Sequence, residues 1–293
     1  MVDKQKVHNS SVTVPGELCQ SACEYKALNL NLLNKILAGS MFSGRIYYKE
    51  RVDSTNKVAR NLGDSGAPHG TVVVSEYQSA GKGRMRRKWF APQGLNLLFS
   101  VILRPQSMRA KREEWQDDMF LFTAVAAISL VNAMKAMCGV EGQIKWPNDI
   151  YLGGKKLAGI LGEFSFDSCF LEYVIVGVGV NVHWAPAERE VGGQRATCID
   201  AETGSPTCRT KLLGDILLEM ERQYRCLEAG GKHKILSTYK ANSVVLGREI
   251  TVVDSGNVAV CKAIDILADG SLLVLDRGNN QRSLRWGDVS LRL

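Results

Sequence analysis

The sequence predicts an α+β (α/β) protein, a main domain of helices against a sheet followed by a small β barrel. Three observations carry this. Between residues 45 and 241, β-branched strand-like runs alternate with helical stretches. One of those stretches, Asp118 to Cys138, is long and apolar and stops at Gly139. The last ~46 residues hold only short strands separated by turn signals.

Residues 1–43 are polar, with one weakly helical stretch from Leu18 to Leu37, and read as an extension with no legible role. Arg45 to Lys49 reads as a strand. Asp53-Ser54-Thr55-Asn56 supplies N-cap residue types ahead of the helical Lys57 to Leu62. Thr71 to Tyr77 and Leu95 to Leu103 are β-branched or apolar strands on either side of a glycine-rich basic loop. Beyond the long helix, Gln143 to Trp146 is a strand stopped by Pro147, and Ile150 to Phe164 is a hairpin turning at Gly153-Gly154. The apolar strand Leu171 to Val182 follows, then helices over Lys211 to Glu228 and His233 to Ala241. Short strands at Glu249 to Val253, Val258 to Leu267, Ser271 to Leu275, Ser283 to Trp286 and Val289 to Arg292 are punctuated by Asp269-Gly270 and Arg277-Gly278. The boundary falls near Val245 to Gly247, so residues 44–245 form the main domain and 246–293 the β domain.

With 45% hydrophobic and 23% charged residues in 293, the composition excludes disorder and fibrous repeats. The eight cysteines are scattered and include no C-x-x-C pair, and the four histidines lack metal-ligand spacing. Reduced thiols and no protein-built metal site are predicted. The first residues include Asp3, Glu17 and Glu24 and lack an apolar core, so no secretory leader is expected. The longest apolar run, Met119 to Met134, is interrupted by Thr123, Ser129 and Asn132 and is not expected to span a membrane. These readings place the protein in the cytoplasm.

The formal charge is +7, and Lys82, Arg84, Arg86, Arg87 and Lys88 alone contribute five positive charges within seven residues. The segment from Arg248 onward balances its charges, which makes the β domain a poor nucleic-acid platform. In Gly81-Lys82-Gly83-Arg84-Met85-Arg86-Arg87-Lys88-Trp89, glycines let the backbone approach a ligand while cations converge on it, as a phosphate-bearing guest would require. The same run also reads as a solvated charged loop. Lys145-Trp146-Pro147-Asn148-Asp149 precedes Lys156, and a turn at Gly153-Gly154 brings Lys156 back near Asp149. Each piece alone is equally a turn or a solvated side chain. Gly177-Val178-Gly179-Val180-Asn181 reads as a strand packed closely against something, with Asn181 at its end able to bond a ligand.

Together these segments resemble the biotin protein ligases, the family of biotin–[acetyl-CoA-carboxylase] ligase and holocarboxylase synthetase. The resemblance rests on Asp53 to Asn56, Ser75 to Trp89, Lys145 to Asp149, Lys155 to Gly162 and Gly177 to Asn181, and extends from about residue 45 to the final Arg285-Trp286-Gly287-Asp288-Val289-Ser290-Leu291-Arg292. It implies a mixed sheet flanked by helices, of the class II aminoacyl-tRNA-synthetase-like/biotin–lipoate ligase fold, with an SH3-like C-terminal barrel. It also implies a two-step reaction. ATP activates the biotin carboxylate as biotinyl-5′-AMP with release of pyrophosphate, and a lysine of a biotin carboxyl carrier protein or carboxylase acceptor domain then takes the biotinyl group. Carboxylate attack on an α-phosphate brings two anions together, and unit charges ~4 Å apart at an effective dielectric of ~20 repel by about 4 kcal/mol. Fixed cations must offset that repulsion.

On this resemblance Lys156, Arg84 and Asp149 carry the chemistry. Ser54, Thr55, Asn56 and Gln78 contact the ureido head of biotin, whose donors and acceptors they can match. Lys82, Gly83, Arg84 and Lys156 close over the carboxylate. Arg84, Arg87, Trp89, Asn148, Asp149, Lys156 and Asn181 serve the nucleotide, with Mg²⁺ carried by ATP near Asp149. Lys82 stands where many relatives have Arg and so lacks the planar fork. The basic loop is expected to be mobile until ligands neutralise it.

Three other readings compete. A lipoate or octanoate ligase shares fold and reaction, but an apolar acyl chain gives no reason for a Ser-Thr-Asn-Gln cluster. A biotin-responsive repressor needs a helix-turn-helix, and no such pattern precedes residue 44. A nucleic-acid-binding module could use the basic loop, but the neutral β domain argues against it. No nucleic-acid or membrane partner is expected. Family members are often dimers through the main sheet, and no residue of this sequence decides whether this chain forms a homodimer.

Overall fold

The strands β1 (Ile46–Val52), β2 (Thr71–Gln78), β3 (Leu97–Leu103), β4 (Gln143–Lys145), β5 (Asp149–Leu152), β6 (Lys155–Asp167) and β7 (Phe170–Val180) form one mixed sheet in the order β1-β2-β3-β7-β6-β5-β4. The computed structural model describes residues 27–105, 118–167, 170–188, 195–254, 257–285 and 289–292. Among the described strands of this sheet, only β1 and β2 pair in parallel. Parallel neighbours need a crossover, supplied here by helix α2 (Thr55–Asp64).

Register divides the sheet's side chains between two faces. On one face Val72, Val74, Phe99, Val101, Val174, Val176, Val178 and Val180 join the large core, covered by α3 (Met119–Cys138), α5 (Arg209–Glu228) and α6 (Lys232–Ala241). On the other, Val73, Ile102, Tyr173 and Ile175 meet Ala59 of α2 in a smaller cluster. Helix α3 is apolar all round because the sheet, α5 and α6 enclose it. Its length and hydropathy would suffice to cross a membrane, yet most of it lies inside the fold.

The element boundaries differ from the sequence expectation in three informative places. Helix α1 (Leu30–Ile36) is capped by Asn29 and buries Leu33, while Leu28, Leu37 and Phe42 enter the same core as the main sheet. Residues 27–43, set apart in the sequence reading, are thus packed against the main domain; residues 1–26 lie outside the described ones. A short helix α4 (Ile199–Thr203) was not anticipated, because five residues carry too little periodicity to register. The strand expected at Ser283 to Trp286 instead begins at Gln281, because the Asp276 carboxylate accepts N–H bonds from Gly278 and Asn280 and tightens the turn before it. Trp286 to Asp288 lie outside the described residues.

The C-terminal strands β8 (Glu249–Asp254), β9 (Asn257–Ile266), β10 (Leu272–Leu275), β11 (Gln281–Leu284) and β12 (Val289–Arg292) form a five-stranded antiparallel sheet in the order β11-β10-β9-β8-β12. Its Ile250, Val252, Ile266, Leu272 and Val274 share the main domain's core. Trp146 Nε1 donates to the Gly270 carbonyl at 2.9 Å, so the two sheets meet beside the Lys145–Asp149 segment.

A buried ion pair holds the region behind β2. Arg209 Nη1 lies 2.7 Å from Glu76 Oε2, with side-chain exposures of 4% and 0%. Glu76 Oε1 also accepts from the Leu28 N–H at 2.8 Å and the Tyr48 hydroxyl at 3.2 Å. One carboxylate therefore joins β2, β1, α5 and the entry to α1.

Candidate active site

The alternation of β7 continues past the end of α2, and there it builds the floor of a cavity. Tyr173 and Ile175 lie under α2, and the next residues on that face, Gly177 and Gly179, have no side chains. A Cβ on Gly177 would collide with the Asn56 amide, and one on Gly179 would lie 2.5 Å from Trp89 Cε2. Gly159 pairs with Gly179 across β6, and its Cβ would meet the same indole at 3.0 Å. The close packing predicted for the glycine strand is therefore against Asn56 and Trp89. A cavity of ≈ 1160 Å³ opens over this floor. That volume exceeds the usual range for one small ligand, about 300–1,000 Å³, and leaves room for two.

Gly179→Val tests the floor. The added methyls cannot fit beneath Trp89, so the strand or the indole must move, at a cost of about 1–3 kcal/mol. We expect lower thermal stability together with about tenfold weaker binding of a phosphate-bearing guest, read by calorimetry. Unchanged values for both would mean that Trp89 does not lie where the structure places it.

At one end of the cavity, Ser54 sits at the N-cap position of α2 without a side-chain cap bond, and the helix opens with Thr55 and Asn56. Gln78 Oε1 accepts from the Thr55 N–H at 2.7 Å and from its hydroxyl at 3.1 Å. Ser100 Oγ lies 2.8 Å from Thr55 Oγ1 and 2.7 Å from Asn56 Oδ1. With Asn56 Oδ1 so held, its buried Nδ2 has no protein partner among the described residues. A buried donor left open in this way is the feature a carbonyl-bearing guest would complete. Ser100 was not foreseen, because one serine within an apolar strand carries no signal until the register sets it opposite Gly177.

The basic loop closes over the middle of the cavity. Lys82 and Lys88 form an antiparallel bridge, Gly83 N–H donates to the Arg87 carbonyl at 2.7 Å, and Trp89 N–H donates to the Gly81 carbonyl at 2.9 Å. Between them Met85 takes a left-handed conformation, φ 52°. Arg84 Nη1 donates to Asn148 Oδ1 at 3.0 Å, and Asn148 Nδ2 donates to the Ile160 carbonyl at 2.6 Å. Asn148 thus steadies Arg84. Lys82, Arg87 and Lys88 are exposed at the rim.

At the far end, Gly153 and Gly154 turn the β5–β6 hairpin with φ 57° and 75°, and Lys156 returns beside Asp149. Lys156 Nζ lies 2.7 Å from Asp149 Oδ1, with both side chains about one-fifth exposed, and 6.0 Å from the Trp89 ring centroid. The Lys156 backbone is gripped by residues 195–197: its N–H donates to the Arg195 carbonyl and its carbonyl accepts from Thr197, both at 2.9 Å. Asn181 lines the cavity, but its amide is engaged on both sides, donating to the Thr197 carbonyl at 3.1 Å and accepting from Asn96 at 3.3 Å. It braces the 195–197 segment.

All thirteen residues singled out from the sequence line this one cavity. Lys145 also lines it and was not singled out, although a lysine within a short apolar strand was the signal. It is 7% exposed, with Nζ 3.0 Å from the Tyr151 hydroxyl and 4.9 Å from that ring's centroid. Burial pushes its pKa down to about 8; Asp149 pulls upward, while Lys156 and Arg87 push further down.

The donor set suits an anionic guest. Among the described residues no cluster of three metal-ligating side chains occurs, and Asp149 already holds Lys156. A Mg²⁺ ion that brings phosphate oxygens and waters as its own ligands fits this arrangement, with Asp149 beside it.

Residues 48–181 match the Biotin/lipoate A/B protein ligase family. The chain is 30% identical over 281 residues to the bifunctional ligase/repressor BirA of Bacillus spizizenii, covering 94% of this chain and 80% of the relative. It is 30% identical over 240 residues to the biotin–[acetyl-CoA-carboxylase] ligase of Mycobacterium tuberculosis, covering 80% and 85%. The structure of biotin protein ligase from Aquifex aeolicus in complex with biotin and ATP superposes with a TM-score of 0.71 at 25% identity, covering 85% of this chain and 99% of that one.

Proposed function

The chain belongs to the biotin protein ligase family and is an ATP-dependent ligase of biotin, and from that premise we propose how its cavity carries out the reaction. The observation that carries the assignment of roles is the sequence of chemistries along one cavity: an open amide donor at Asn56, then the Arg84 loop, then the Lys156–Asp149 pair.

Asn56 Nδ2 donates to the ureido carbonyl of biotin, while Ser54, Thr55 and Gln78 complete the ring's donors and acceptors. The valeryl chain runs between Asn56 and Trp89, the side chains packed on Gly177 and Gly179, and points its carboxylate toward Arg84 and Lys156. These two cations, with Lys82 and the Gly83 N–H, hold the carboxylate against the α-phosphate and lower the anion–anion repulsion that opposes attack. The carboxylate oxygen bonds to the α-phosphorus as the bond to pyrophosphate breaks, giving biotinyl-5′-AMP. Arg87 serves the departing phosphates and Trp89 the base, while Asn148 and Asn181 brace the elements that present these groups. Mg²⁺, when bound with ATP, neutralises phosphate charge near Asp149. A carrier-protein lysine then attacks the mixed anhydride, releasing AMP, and the acceptor is a biotin carboxyl carrier domain. No Ser–His or Cys–His device is needed, because the substrate carboxylate is itself the nucleophile.

We place the domain boundaries at about residue 28 for the start of the catalytic part and near Gly247 for its end, with the last strands forming an SH3-like barrel, and the enzyme in the cytoplasm. The role proposed is that of the ligase, without DNA binding. Homodimerisation through the main sheet is the assembly we would test.

Incubation with biotin, ATP and Mg²⁺ should release pyrophosphate and label a carrier domain on lysine. Lipoate in place of biotin should give neither product. Equal turnover of both acids would overturn the role given to Asn56 and Gln78. Arg84→Gly removes the clamp bonded to Asn148. We expect the adenylate to escape and label bystander lysines, and full retention of adenylate on the purified variant would count against the clamp.

A further inference from the structure

Most cations of the cavity have a visible arrangement for their charge. Lys156 is neutralised by Asp149, Arg84 bonds to Asn148, and Lys82, Arg87 and Lys88 reach solvent. Lys145 differs. It projects from β4 to the cavity side, since Ile144 and Trp146 take the core side. Its amine is buried, and its one hydrogen-bond partner among the described residues is the phenol of Tyr151. The charged groups facing it are Asp149 across the β4–β5 pair, Lys156 on β6 and Arg87 from the loop. Two of these three are cations, and the carboxylate is already bonded to Lys156. A buried amine in this setting holds its proton weakly until an anion arrives.

We propose that, on the alkaline side of neutrality, Lys145 takes up a proton from solvent when the nucleotide's polyphosphate enters the cavity and returns it when pyrophosphate leaves, so that pyrophosphate departure there is a proton-coupled step. The exchange is balanced: the neutral amine gains one proton to become ammonium as anionic oxygens approach, and loses it when they depart. The consequence is directional. Above the pKa of about 8 in the ligand-free site, binding must draw a proton from solvent, so nucleotide affinity falls as pH rises. Below it, Lys145 is already charged and binding is nearly independent of pH. A permanently charged arginine would hold the anion equally well at every pH.

This inference rests on the ligase reading, and the experiment separates the two. Titrate the full chain with Mg²⁺ and the α,β-methylene analogue of ATP, which cannot release pyrophosphate, by calorimetry in two buffers of unlike ionisation enthalpy. At about pH 9 we expect close to one proton taken up per site, and much less at about pH 7. Lys145→Met should lose the uptake and bind the analogue about 10- to 100-fold more weakly near pH 7, while still binding biotin. Lys145→Arg should bind the analogue without proton uptake. Wild-type binding with no uptake at about pH 9, or undiminished uptake by Lys145→Met or Lys145→Arg, overturns the proposal. Failure of the wild type both to bind the analogue and to make pyrophosphate from biotin and ATP would instead overturn the ligase reading together with it.

Discussion

Lys156→Ala should leave a folded protein that still binds biotin and forms biotinyl-5′-AMP about 10²- to 10³-fold more slowly, the usual cost of deleting one preorganised electrostatic group. The expectation follows from where the Gly153-Gly154 turn and residues 195–197 hold the Lys156 backbone, and from the 2.7 Å pair with Asp149. Truncation does more than remove a positive charge. It leaves the Asp149 carboxylate unneutralised beside two further anions, the biotin carboxylate and the α-phosphate, so repulsion grows as help is withdrawn. The effect belongs in the first half-reaction, and pyrophosphate release from biotin and ATP measures it directly. Lys156→Arg should recover part of the rate, since charge returns at a slightly different reach. Pyrophosphate release within about threefold of wild type in Lys156→Ala would remove Lys156 from the role given to it.

Arg209→Leu should lower the unfolding free energy by about 3–5 kcal/mol. Arg209 is the cationic partner of a carboxylate with no solvent exposure, and it also donates to the Asn96 carbonyl at 3.0 Å. Removing it strands Glu76 as a buried charge, which costs far more than the intact pair contributes. Glu76→Leu combined with Arg209→Leu should recover part of the loss, limited by the Leu28 N–H and Tyr48 hydroxyl that Glu76 now satisfies. Denaturant midpoints for the wild type, the two single variants and the double variant give the coupling as a cycle. Catalysis per folded molecule should change little, because Glu76 and Arg209 lie on the helix-covered face, away from the cavity. A shift below about 1 kcal/mol for Arg209→Leu would show that the pair does not hold β2 to α5.

Local grammar in the chain determined a great deal of this protein. Gly139 ends α3 in the left-handed conformation, Gly153-Gly154 turns the hairpin, and the expected strands formed with their ends within about three residues. Each of these outcomes is set by backbone dihedral preference and periodicity over a few neighbours. The thirteen candidate residues could be named because their segments match a family pattern, and the cavity brings them together.

Tertiary structure decided what those segments do to one another. Gly177 and Gly179 were legible as close packing, but that Asn56 and Trp89 fill the space depends on where a helix and a distant loop return. Ser100 and the Glu76–Arg209 pair were silent in sequence, because the pairs they form span from 45 to 133 residues and take their meaning from burial. Asn148 and Asn181, expected to meet a ligand, line the cavity and also use their amides to brace Arg84 and the 195–197 segment. Periodicity and turn chemistry act over a few residues, so they can be read along a chain. Charge placement and side-chain partnership depend on register between strands far apart in sequence, and only the assembled sheet sets that register.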